Sequence, residues 1–141
     1  MRRWSSLKRS DLRVFEGESG PQVLEGILGA LNNGWRDHGN VPETVQEKMS
    51  TAASEVGTNI VEHSGRQVWV RMELRLQDHQ VTVSFTDDGP AVDVDLDAVR
   101  MPDPWAERGR GLALVKMLTR EFTYRRDGDG NHWTLVSEYF D

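Results

Sequence analysis

Three short sets of residues carry the chemical potential of this 141-residue chain. Glu55, Asn59 and His63 stand four apart, which on a helix places them within about 80° of one another, on one face. An apolar stripe of Val45, Met49, Ala52, Val56 and Ile60 runs roughly 60° to 140° from Glu55, so Glu55 and Asn59 fall at the border of the buried arc and His63 inside it. Polar groups at such a border need partners. The same residues suit a solvated helix edge, and Glu55 with His63 around one Asn is a poor set of transition-metal ligands. In the second set, Asp87 shares strand parity with Val81, Val83 and Phe85 and so faces the core, where an ionised carboxylate must meet donors or serve a ligand. Gly89 permits a positive φ or the close approach of a ligand; a strand-end turn through Asp87-Asp88-Gly89-Pro90 fits equally. The third set, Gly109-Arg110-Gly111-Leu112, opens a helix, where free N–H groups and the dipole favour an anion such as phosphate, and where a plain N-cap with a tight turn uses the same residues.

The elements that must position these sets are visible as periodicity. From Pro21 to about His38, Leu24, Ile27, Leu28, Leu31 and Trp35 recur at helical spacing, with Pro21 in the first turn and Gly39-Asn40 as the stop. A second helix spans Pro42 to about His63 and closes at Ser64-Gly65. Val68, Val70, Met72, Leu74 and Leu76 alternate with polar residues, and Val81, Val83 and Phe85 repeat the pattern after a turn, which predicts an antiparallel hairpin. Residues 6 to 16 hold a marginal first strand around Leu12 and Val14. Gly109 to Arg120 reads as a helix so apolar on every side (Leu112, Leu114, Val115, Met117, Leu118) that it is expected at the centre of the core. Strands near Phe122 to Arg126 and Trp133 to Phe140 flank the turn Asp127-Gly128-Asp129-Gly130. These elements make an α+β fold: a two-layer sandwich with helices on one face of a mixed, mostly antiparallel sheet.

The length fits one domain over residues 1 to 141, and 37% apolar with 28% charged residues is enough for one core. Cysteine is absent, so thiolate chemistry and disulfides are excluded. No apolar run is long enough to span a bilayer and the basic start leads into polar residues, so a cytoplasmic protein without membrane contact is expected. Seven acids face a single base, Arg100, between Asp87 and Glu107, so the net charge of −6 lies in this stretch and direct nucleic-acid binding is not expected. Residues 90 to 107 carry three prolines and no periodicity, a pattern of functional loops.

In order, Glu-x3-Asn-x3-His on a helix, an inward Asp-x-Gly, an acidic loop and Gly-x-Gly-Leu into a helix resemble the Bergerat-type (GHKL) ATPase superfamily of type II topoisomerases, MutL proteins and histidine kinases. The chain looks most similar to small anti-sigma factor serine/threonine kinases of the RsbW and SpoIIAB type. Residues 55 to 64 match the N box, 87 to 93 the first glycine box and 109 to 115 the second. The resemblance implies ATP and Mg²⁺ as cofactors. By it, Asn59 holds Mg²⁺ against the phosphates, Glu55 is the general base and Asp87 accepts from the adenine amino group. Gly89 lets the base approach, Gly109, Arg110, Gly111 and Leu112 hold phosphates, Arg108 is a further phosphate contact, and residues 90 to 107 form the ATP lid. It also implies a role in transcription regulation: binding a sigma factor or comparable regulator, phosphorylating a STAS-type antagonist, and possible homodimer formation through the first strand and helix. Ala91 departs from the pattern, standing where a second glycine is usual; its methyl is expected to stiffen the lid hinge. A module that binds nucleotide without turning it over, ordering its lid to select a partner, is the alternative.

Overall fold

Each periodic segment becomes one element. The structure is a computed structural model and describes residues 10–64, 67–100 and 110–141. Strand β1 (Ser10–Glu18) leads into helix α1 (Pro21–His38) and helix α2 (Glu43–His63). Then come β2 (Trp69–Gln77), β3 (Val81–Asp87), helix α3 (Gly111–Leu118), β4 (Glu121–Asp127) and β5 (Gly130–Val136). A short 3-10 turn covers Leu96–Ala98. The sheet order is β1-β2-β3-β5-β4. All four pairings are antiparallel, so the expected α+β sheet contains no parallel pair among the described strands.

Register aligns the apolar residues of neighbouring strands on one face: Met72 lies opposite Phe85, Leu74 opposite Val83, and Phe85 in turn opposite Trp133. These side chains are fully or almost fully buried, each contributing about 2 kcal/mol by removal from water. The other face carries Arg71, Glu73, Thr82, Ser84 and Thr86 at the same strand positions and stays half exposed, the division usual for an antiparallel sheet covered on one side. Helices α1 and α2 cover the apolar face. Pro21 sits in the first turn of α1, and Gly39 ends it in the left-handed conformation, φ 71°, with its N–H donating to Trp35 O. The buried edge of α1 is Val23, Ile27, Leu31 and Trp35, whereas Leu28 is 39% exposed. On α2, Val45, Met49, Ala52, Val56 and Ile60 are buried as their spacing predicts.

Four features differ from the sequence-based expectations. β1 is a complete nine-residue strand paired with β2 throughout, and Leu12 and Val14 point to the uncovered face, at 44% and 41% exposure; Phe15 is the residue of β1 packed against the core. The Phe15 ring would lie 2.1 Å from a Cβ on Gly26, so α1 can approach β1 only with glycine there. Helix α3 is not central. Ala113 and Val115 are buried, Leu112, Leu114 and Leu118 only in part, and Met117 is 70% exposed. The apolar face of the sheet is already filled by α1 and α2, so α3 is left to pack mainly on α2 at the margin. β5 starts and ends before the expected Trp133–Phe140 span, because Ser137 turns back to bond Val81 and Phe140 donates to His79 O. His63, expected inside the buried arc, is exposed: it ends α2 after Ile60, the last buried residue of the stripe.

The β4–β5 turn has its own electrostatic lock. Asp127 accepts from His132 Nε2 at 2.9 Å and from the N–H of Asp129 at 2.8 Å, and it pairs with Arg125. These contacts, His132 first, hold its carboxyl well below the ordinary value of 3.8. A depressed folded-state pKa stabilises fully above the unfolded value, and that contribution fades below it and is lost only as pH falls through the lower folded value. The gap between the thermal midpoints of the native chain and Asp127→Asn should therefore be full at about pH 6, start to shrink below about pH 4 and fall to less than half by about pH 2. A constant gap across that range would remove the carboxylate from the hairpin's stability.

Candidate functional site

Glu55 and Asn59 project from consecutive turns of α2 and are half-buried. Among the described residues, no hydrogen bond or ion pair engages either side chain. They line a cleft of about 1060 Å³ that continues over Thr58, Glu62, Arg110 and Gly111. Across it, Glu55 Oε2 lies 2.9 Å from where a Cβ on Gly111 would stand, so the second glycine of Gly109-Arg110-Gly111 is what lets the carboxylate rest against the first turn of α3. That turn has no side-chain cap, which leaves its N–H groups for water or an anionic ligand. Leu112 is the next wall residue. Arg108 and Gly109 lie outside the described residues, as do residues 101 to 107 of the expected lid.

Asp87 turns inward as its parity predicts and is 4% exposed. Oδ1 accepts from the N–H of Gly89 and from Asn131 Nδ2, both at 2.9 Å; Oδ2 accepts from Trp133 Nε1 at 3.3 Å. An ionised carboxylate offers about four acceptor positions, so roughly one remains open, on Oδ2. Gly89 is buried, and a Cβ there would stand 2.9 Å from Asp87 Oδ1 and 3.2 Å from Val68 Cγ1. What this glycine admits here is the chain's own carboxylate. The cavity beside Asp87, lined by Asn59, Ile60, His63, Pro90, Val92 and Trp133 among others, measures about 10 Å³. That is room for about one water molecule. The site is thus open over Glu55 and Asn59 and shut at Asp87.

The lid segment is described from Pro90 to Arg100. Ala91 is exposed, and no non-glycine residue among those described has a positive φ, so its methyl is unstrained. Val92 and Val94 pack on the core while Asp93, Asp95 and Asp97 face solvent. Lys116 on α3 donates from Nζ to Leu96 O at 2.6 Å and to Val99 O at 3.2 Å, fastening the segment to α3.

The residues that sequence reasoning did not single out are Asn131, Trp133, Tyr124 and Arg126. Asn131 is 1% exposed and pairs with Asp87 in the β3–β5 register. Gly130 precedes it at φ 120°, where a Cβ would fall 2.2 Å from Asp87 O, so the backbone of β5 meets β3 only with glycine. The two-residue turn at Gly128-Asp129 fixes the β4–β5 register, with Arg126 opposite Asn131 and Tyr124 opposite Trp133, but only the tertiary β3–β5 pairing sets Asn131 beside Asp87.

Asn59 suits a hard cation, since a carboxamide oxygen is an ordinary Mg²⁺ ligand when phosphate oxygens and waters complete the shell. Among the described residues no cluster of three His, Asp or Glu is arranged to hold an ion by itself. A cation there would rest on phosphate oxygens as well as on Asn59.

A helix wall carrying an unengaged carboxylate and carboxamide, an inward aspartate at a strand end and a glycine-led helix start define a nucleotide-binding α+β sandwich. The model of the histidine kinase-like ATPase domain matches residues 22–137, and the chain belongs to this family. Membership supports ATP binding. No curated protein matches the chain. Among the described residues, no helix is long and apolar enough to cross a membrane.

Proposed function

We propose that this chain is an ATP- and Mg²⁺-dependent serine/threonine protein kinase that works by partner switching. It binds a sigma factor or comparable regulator and phosphorylates a STAS-type antagonist. The observation that carries this is the pairing of Glu55, unengaged and set against the start of α3, with Asn59 one turn on, at the wall of the open cleft.

In the proposed reaction, Glu55 accepts the proton of the target hydroxyl as its oxygen bonds to the γ-phosphorus and ADP leaves. The N–H groups of the first turn of α3 offset charge on the transferring group. Asn59 would hold Mg²⁺, which when bound would supply further charge neutralisation. Asp87 accepts the adenine amino hydrogen at its open Oδ2 position. Arg108 and Gly109 remain proposed phosphate contacts by resemblance, together with Arg110, Gly111 and Leu112.

Incubation of the chain with γ-labelled ATP and candidate STAS proteins tests the proposal. Label on a serine or threonine of the partner is the expected result. Saturable ATP binding without transfer to any partner would favour the second reading, a non-catalytic module that selects a partner through lid ordering. Ala91, standing where a second glycine is usual, is the feature of the chain that favours that alternative.

A further inference from the structure

The closed half of the site is held by a specific device. Asn131 Nδ2 donates to Asp87 Oδ1 and to Pro90 O, each at 2.9 Å, and more weakly to Gly89 O at 3.4 Å. Its Oδ1 accepts from Tyr124 OH at 2.5 Å and from Arg126 at 3.0 Å. The same Arg126 nitrogen donates to Gly89 O at 2.8 Å. Tyr124 OH in turn accepts from the N–H of Val92 at 3.0 Å. These directions are forced. A backbone N–H can only donate, so the Tyr124 proton goes to Asn131 Oδ1, and the amide of Asn131 is oriented with its donors on Asp87 and the two carbonyls. The bonds to Gly89 O, Pro90 O and the N–H of Val92 join the β4–β5 hairpin to the corner Gly89–Val92, those of Tyr124 and Arg126 to Asn131 brace the hairpin itself, and Pro90 and Val92 are walls of the roughly 10 Å³ cavity beside Asp87.

A purine does not fit in about 10 Å³, and widening the cavity at Pro90 and Val92 breaks the Asn131–Pro90 and Tyr124–Val92 bonds. No such change is needed at the open cleft by Glu55 and Asn59. We propose that Tyr124 and Asn131 form a latch on the purine half of the site, so that ATP engages by its phosphates first and its base enters only when the latch releases. Tyr124 and Asn131 are positioning residues here, acting through Asp87 and the corner. The proposal rests on the ATP-binding reading above, and it adds an order of binding and the residues that set it.

Stopped-flow binding with a fluorescent ATP analogue and, by competition, with inorganic tripolyphosphate tests it, both with Mg²⁺, on the native chain and on Tyr124→Phe. The Phe variant keeps the ring on Trp133, whose centroid lies 4.4 Å away, and loses only the hydroxyl. For the native chain, the ATP analogue should bind in two phases, a fast one that scales with concentration and a slow one that saturates. Tyr124→Phe should speed the slow phase about five- to tenfold and tighten overall affinity by a similar factor, because a larger fraction is competent. Tripolyphosphate should bind in one fast phase, equal in both proteins. Amide exchange adds a readout of the variant itself: Val92 should lose protection in Tyr124→Phe while the amides of β2 and β3 keep theirs. Two-phase binding with the same slow rate in both proteins, or single-phase ATP binding by the native chain, overturns the latch and leaves ATP binding standing. Absence of any ATP binding by the native chain removes both.

Discussion

Glu55→Gln should retain ATP binding and lose phosphotransfer by about 10²- to 10⁴-fold, the range supplied by a positioned general base. Glutamine keeps the length, shape and one acceptor oxygen of the side chain and removes its charge and its capacity to take a proton. Because Glu55 engages no described residue through a hydrogen bond or ion pair, the change leaves no partner behind, and the thermal midpoint should stay close to that of the native chain. Calorimetry with ATP and Mg²⁺ gives the affinity, and label transfer to a STAS-type acceptor gives the rate. Transfer at the native rate would remove Glu55 from the proposed chemistry.

Asp87→Asn should lower ATP affinity by about 10- to 100-fold, the value of a hydrogen bond to a charged group. The amide can keep an oxygen toward Gly89 and Asn131, but its NH₂ then replaces Oδ2, where Trp133 Nε1 already donates at 3.3 Å. Donor faces donor at both the indole and the adenine amino group. The orphaned indole N–H, at a residue 1% exposed, should destabilise the fold by about 2 kcal/mol, or several degrees in thermal midpoint. Affinity lost through general loosening would fall equally for all purines. Inosine triphosphate separates the causes, because its 6-oxo group accepts where adenine donates: the native chain should prefer ATP, and Asp87→Asn should shift preference toward the 6-oxo nucleotide. An unchanged ratio of the two affinities would mean that Asp87 does not read the base.

The elements that carry the site were legible because the forces that set them act within a few residues. Gly39 stops α1 through its own φ, and the stripe from Val45 to Ile60 repeats each turn. Parity alone turns Asp87 toward the core at the end of β3, since alternate side chains of a strand face opposite sides. Local rules also placed Glu55 and Asn59 at the border of the buried arc, where they are found. The same rules misjudged His63, because helical periodicity records an angle around the axis but not where the sheet beneath the helix ends.

What the tertiary structure decided depends on segments far apart in the chain. The apolar residues of α3 suggested a central helix, yet the face that could bury them was already occupied by α1 and α2. Asn131 looks like an ordinary polar residue after a turn until the β3–β5 register sets it opposite Asp87, 44 residues away. Which side chains share a helix face or turn toward the core is thus written locally, in spacing and parity. Whether the pocket they face is open or shut is decided by hydrogen bonds across strands, whose partners no single stretch of sequence contains.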